Sequence, residues 1–138
     1  MLKTITTISA LILSLNTPAF AFGPMNFSGA YAAVTQAAHR HGVPQGLAHA
    51  VIRIESGHNC HARNRSGAAG LGQLMPGTAR AMGVRNPMSC EQNAEGAMRY
   101  LGQFYRASGG NACAAASAYN RGSLGGCTAY GRRVLNHM

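Results

Sequence analysis

From residue 28 onward, apolar residues recur at helical spacing wherever a pattern is clear. Ser28 is placed to cap a first helix with Tyr31, Val34 and Ala38 on one face; Gly42 stops it, and Pro44 opens a second. That second helix carries Leu47, Val51 and Ile54, which follow at i, i+4 and i+7, and Glu55 falls at its end just before Gly57. A short third helix runs from Pro76 to Gly83, opened by the proline and closed by the glycine. Ser89 with Gln92 is a capping-box pattern for a long helix whose stripe is Ala97, Met98, Leu101, Phe104 and Tyr105, ending near Gly109 and Gly110. Residues 111–119 are Ala-rich and helical by propensity, and 128–135 form one more helix. Between 57 and 75 glycines interrupt the period, which predicts a loop or a small irregular hairpin. No repeat or low-complexity run divides residues 22–138. The expected class is therefore mainly α, one small helical domain with a Gly-rich lobe inserted after Glu55.

Residues 1–21 read differently. One basic residue, Lys3, precedes the apolar stretch ISALILSL at 8–15, Pro18 breaks it, and Ala19-Phe20-Ala21 is a small-x-small cleavage pattern. The stretch is too short to span a bilayer, so an export signal over 1–21 is expected, with no stable membrane insertion and a periplasmic or secreted destination.

Charge then narrows the partners. The chain has 12 basic residues against 3 acidic ones and a net charge of +9; apart from Lys3 the basic residues are all Arg. That balance suits a polyanion: nucleic acid, an anionic lipid surface or a carboxylate-bearing wall polymer. Export removes the protein from nucleic acid, and no Arg cluster is interleaved with aromatic residues for base stacking. Cys60, Cys90, Cys113 and Cys127 lie in the exported part, where disulfides form. Of three possible pairings, Cys60 with Cys90 and Cys113 with Cys127 is favoured, because these bonds would tie the Gly-rich lobe to the long helix and close a short loop around Tyr119 and Asn120. No pair has zinc or redox spacing and no His completes one, so neither a metal nor another cofactor is expected.

There is no Asp, so acid catalysis by a carboxyl group falls to Glu55, Glu91 or Glu95. Glu91 and Glu95 fall in the first turns of a helix, where the dipole favours negative charge, and read as solvated N-terminal charges. Glu55 sits at a helix C-terminus beside an apolar face, and both settings raise a carboxyl pKa toward what a general acid needs.

Around Glu55 a series of short strings falls in register. Glu55-Ser56-Gly57 is followed by Ser66-Gly67-Ala68-Ala69-Gly70-Leu71-Gly72-Gln73-Leu74-Met75-Pro76, then by Asn93 with Tyr100 and Leu101, then by Ala118-Tyr119-Asn120-Arg121-Gly122. From Ala48 to Gly122 the chain resembles the lytic transglycosylases of the soluble, lysozyme-like type. The resemblance implies an α+β lysozyme-like fold of two lobes with a cleft between them, with Glu55 as the catalytic acid and then base. It gives substrate-binding roles to Gln73, Tyr119 and Asn120, with Ser56 beside the acid as a further candidate. It also implies cleavage of the bond between N-acetylmuramic acid and N-acetylglucosamine in peptidoglycan, without water, to leave 1,6-anhydro ends. Two departures stand out: Gly72 where the family usually has Met, and Ala97 where a Gly usually follows the Asn by four. Leu71 and Met75 read as core.

A goose-type lysozyme, which hydrolyses the same bond on the same fold, is the nearest alternative, and a non-catalytic peptidoglycan-binding module is a second. A monomer is expected. The small domain resembles the specialised transglycosylases that open the wall for secretion, conjugation or pilus machines, so components of such a machine are candidate partners.

Overall fold

The computed structural model describes residues 29–138, and both the export signal expected over 1–21 and the Ser28 cap lie outside the described residues. Six helices follow in order: α1 Gly29–His41, α2 Gln45–Ser56, α3 Pro76–Ala81, α4 Cys90–Ala107, α5 Ala112–Arg121 and α6 Ala129–Leu135. The arrangement is the mainly helical, lysozyme-like domain expected.

Helix α4 is the hub. It packs on α1 and α5, α6 packs on α5, and α2 lies against α1, α5 and α6. Its buried stripe is Ala94, Ala97, Met98 and Leu101, which meets Leu47, Val51 and Ile52 of α2 and Val34 of α1 in one core. Small residues line much of that contact: Ala30, Ala33, Ala37 and Ala38 face inward from α1, and Ala115, Ala116 and Ala118 from α5. Tyr31 is the exception to the expected α1 stripe. It is 38% exposed, stacking its ring on His49 at 3.8 Å between centroids.

The capping box of α4 is half formed. Ser89 accepts from the Gln92 N–H as expected, but the Gln92 side chain turns to the loop before it, where Oε1 accepts from the N–H groups of Arg85 and Asn86. Glu95 is a larger correction. Rather than a solvated charge, it is a clamp between α4 and the end of α1: Arg40 donates to Oε2 at 2.9 and 2.7 Å, and His41 Nε2 lies 2.6 Å from Oε1. Burial pushes its pKa up, but the bonds from Arg40 and His41 outweigh that and hold the carboxyl below its usual range. Arg99 adds a longer i,i+4 contact at 3.8 Å, but the two hydrogen-bonding partners are 54 and 55 residues away, beyond the reach of any local pattern.

Residues 57–75 form an irregular hairpin with two isolated antiparallel bridges, Arg63 with Ala69 and Ala69 with Leu74. Cys60–Cys90 ties this lobe to the start of α4, and Cys113–Cys127 ties the start of α5 to the residue before the α6 cap, with Cα separations of 5.1 and 5.2 Å. Beside the second bond, Ser117 Oγ donates to the Cys113 carbonyl and accepts from the N–H and hydroxyl of Thr128, the α6 N-cap. Helix α6, only 7 residues long and too short to hold itself in water, is thereby pinned to α5.

Candidate active site

Glu55 closes the C-terminal end of α2 one residue before Ser56, and Gly57 terminates the helix in the left-handed conformation at φ 62°, its N–H bonded to the Arg53 carbonyl. The carboxylate is thus held at the negative end of a helix dipole and at the edge of the core. It faces a cleft of about 310 Å³ between the Gly-rich lobe and the helical lobe. Asn64, Gln73, Met75 and Thr78 line one side, and Tyr100, Tyr119, Asn120 and Arg121 the other. No second carboxylate borders it: Glu95 is held by Arg40 and His41, and Glu91 accepts from the Ser89 hydroxyl at 3.1 Å.

Burial raises the pKa of Glu55, and the Tyr130 hydroxyl and the charge of Arg133 only partly offset it. Tyr130 donates its hydroxyl to Glu55 Oε1. Sequence reasoning missed this residue. Its weak signal is an aromatic side chain two positions after the Thr128 cap, at the start of a helix known only from propensity. Burial, followed by the Glu55 charge and the bond to Glu55, raises the Tyr130 pKa in turn, so the phenol stays a donor.

Tyr119 is buried, and its hydroxyl donates to the Gly72 carbonyl at 2.6 Å rather than to the carboxylate. It therefore carries the hairpin wall toward Glu55. Asn93, fully buried on α4, completes the anchor: Oδ1 accepts from the Gly72 N–H at 2.7 Å, while Nδ2 donates to the carbonyls of Ala69 and Pro87. Gly70 is obligatory under this fastening, since φ is +76° and a Cβ there would collide with the Asn93 amide and the Pro87 carbonyl.

Gln73 lines the cleft with φ 47°, a left-handed conformation costly for a residue with a side chain, and its Nε2 donates to the carbonyls of Ala62 and Gly70. Those bonds fix the amide at the cleft wall. Asn120 borders the cleft and is exposed. Ser56 is not among the lining residues; its hydroxyl donates to the Ile52 carbonyl one turn back. Leu71 is core as expected, whereas Met75 is 45% exposed and faces the cleft.

Gly72 and Ala97 meet each other here. A Cβ on Gly72 would lie 2.5 Å from the Ala97 methyl and 2.5 Å from the Tyr119 hydroxyl. The methyl on α4 fills the space that a side chain at 72 would need, so the two departures form a single exchange of volume in the wall behind the cleft. Gly72→Ala should destabilise the fold by about 1–3 kcal/mol, the range for overpacking. Adding Ala97→Gly should recover part of that in a thermal or urea melt. Strictly additive losses would show that the positions are not coupled.

The comparisons agree with this geometry. The model of the transglycosylase SLT domain family matches residues 32–128, which covers the Glu55 helix, the hairpin, α4 and α5. The chain belongs to that family. Among solved structures, it is similar to an inactive mutant of the lytic transglycosylase Slt from Pseudomonas aeruginosa, at 30% identity and a TM-score of 0.62 over 72% of this chain. It is also similar to the 70 kDa soluble lytic transglycosylase of Escherichia coli, at 28% identity and a TM-score of 0.56 over 74% of this chain. A complex of a 70 kDa soluble lytic transglycosylase with bulgecin A matches at 25% identity and a TM-score of 0.58 over 83% of the chain. This SLT-domain chain spans 17%, 18% and 19% of the length of those three proteins.

Proposed function

We propose that this SLT domain is a peptidoglycan lytic transglycosylase that cleaves the glycan between N-acetylmuramic acid and N-acetylglucosamine and leaves 1,6-anhydro ends. The observation that carries the reading is the solitary Glu55, half-buried in the cleft with a raised pKa and with no second carboxylate beside it. Ordinary glycoside hydrolysis uses two carboxyl groups, one as acid and one as nucleophile or base. One is enough if the sugar supplies the rest. Protonated Glu55 gives its proton to the leaving oxygen, the 2-acetamido group stabilises the developing oxocarbenium ion, and the ionised Glu55 then takes the proton of the muramoyl 6-hydroxyl as that oxygen closes on the anomeric carbon.

Tyr130 serves both halves of that cycle as a positioning residue. Its hydroxyl fixes the carboxyl group and favours the ionised form that must act as base. Gln73, Tyr119 and Asn120 are assigned to the substrate side, Gln73 and Asn120 by direct contact and Tyr119 by holding the wall at Gly72. Ser56 is assigned to shaping the end of α2 beside the acid.

Removing the hydroxyl by Tyr130→Phe should slow turnover about tenfold, in keeping with a hydrogen bond to a charged group. It should also move the alkaline limb of the pH–rate profile upward, because the ionised carboxylate loses its donor. A slowed enzyme with an unmoved alkaline limb would reduce Tyr130 to packing.

The finer reading is local opening of the periplasmic or extracellular wall for a secretion, conjugation or pilus machine, supported by the resemblance to specialised transglycosylases. No helix among the described residues is long and apolar enough to cross a membrane. Mass spectrometry of the fragments released from purified sacculi tests the chemistry: anhydromuramoyl ends, one water lighter than reducing ends, are expected. Reducing ends alone would assign the goose-type hydrolytic reaction, and no release would assign a binding module.

A further inference from the structure

The hairpin that forms one wall of the catalytic cleft has a second face. Backbone in extended pairing sends alternate side chains to opposite sides. Here Asn64 and Ala68 line the cleft while Arg63, Gly67 and Ala69 line a separate groove of about 380 Å³ behind it, and α3, which follows the hairpin, sends Thr78 to the cleft and Pro76 and Arg80 to the groove. Arg85, from the loop before α4, closes its far side. The groove is in the size range of ligand sites. Three guanidinium groups border it and no carboxylate does. Nor is there an acid left to neutralise them: the three Glu of the chain stand in the cleft, beside Ser89 and against Arg40. Among the described residues no ion pair involves Arg63, Arg80 or Arg85. Between the charges, Leu74, Val84 and Met88 give the groove an apolar floor.

Unpaired, fork-shaped donors over an apolar floor fit a short chain of small aliphatic residues that carries several carboxylates. We propose that this groove binds the carboxylate-bearing peptide stems of peptidoglycan, holding the wall polymer while Glu55 cuts a glycan strand on the other side of the hairpin. The inference rests on the proposed function for its substrate and adds a second contact that the chemistry does not require. Stem peptides combine methyl groups with free carboxylates, and the groove offers the complement of both. The occupant need not thread the cleft, because Leu74 is shared between the two hollows and the hairpin separates them.

The test uses two forms of the same sacculi, native and with the peptide carboxyl groups converted to amides by carbodiimide coupling, and the variant Arg63→Gln/Arg80→Gln/Arg85→Gln. Co-sedimentation of the wild-type chain with native sacculi at low salt should exceed that with amidated sacculi by about tenfold, or roughly 1.4 kcal/mol, a plausible sum for three exposed charge contacts. The variant should lose that excess and sediment equally with both, with a melting temperature close to wild type because all three side chains are exposed. Turnover should follow the same ratio. A variant that retains the wild-type preference for native sacculi overturns the proposal, whether the groove is empty or serves an acidic protein instead. So does a variant whose binding falls equally on both forms. Should the wild-type chain release no anhydro ends from either substrate, the assignment of the reaction fails, and co-sedimentation still decides the groove.

Discussion

Glu55→Gln should abolish release of soluble fragments from sacculi, lowering turnover by at least about a hundredfold, the lower end of what a positioned acid–base group contributes. The amide matches the carboxyl group in shape but can neither give a proton to the leaving oxygen nor take one from the 6-hydroxyl. Stability should move the other way. Burial raises the folded-state pKa of Glu55, so the contribution of this group is present at low pH and is lost as pH rises through that value. At neutral pH the neutral amide should melt at or above the wild-type temperature. The other two glutamates make the contrast. Glu91→Gln should be close to silent. Glu95→Gln should lower the melting temperature by weakening the clamp of Arg40 and His41, while leaving the reaction intact in the folded fraction. Loss of activity from Glu91→Gln with a wild-type melt would mean that the acid has been misassigned.

The second large effect lies in the Cys113–Cys127 bond, whose partners are 14 residues apart. Closing a loop of that length restricts the unfolded chain by about 3 kcal/mol, a large share of the margin of a domain this small. Cys113→Ser/Cys127→Ser should therefore lower the melting temperature markedly. It should also cost activity at temperatures where the chain remains folded. The bond and the Ser117–Thr128 contacts hold α6 against α5, and α6 carries the Tyr130 hydroxyl to Glu55. Loosened, the site should show the same upward movement of the alkaline limb as Tyr130→Phe. Circular dichroism melts and pH–rate profiles on one preparation check both halves. A variant with wild-type melting, or one destabilised with an unmoved limb, would contradict one half or the other.

What could be read from the chain followed from the range of the forces involved. The long α4 helix was legible because its stripe repeats on one face over 18 residues. Glu55 was legible because the chain is so poor in acids and because a carboxylate at a helix C-terminus opposes the dipole. The contacts that complete the site are non-local. Tyr130 reaches Glu55 across 75 residues, and only the docking of α6 on α2 brings them together. Glu95 fits the local rule for N-terminal charges, but the end of α1 places Arg40 and His41 against it. Met75 looked like core by its side chain, but its position just before Pro76, at the turn from hairpin to α3, leaves it facing the cleft. Gly72 and Ala97 read as separate departures; the 2.5 Å approach of a Gly72 Cβ to the Ala97 methyl shows them to be one.

On the proposed function a single carboxyl group, Glu55, suffices because the substrate supplies its own nucleophile. Digestion of sacculi in water enriched in oxygen-18 tests this most directly, since a hydrolase must place solvent oxygen on the new anomeric carbon. Fragments with anhydromuramoyl ends and no label above background are expected. Reducing ends carrying oxygen-18 as the main product would contradict it and would mean that Glu55, the sole carboxylate bordering the cleft, hands its basicity to a water rather than to the 6-hydroxyl.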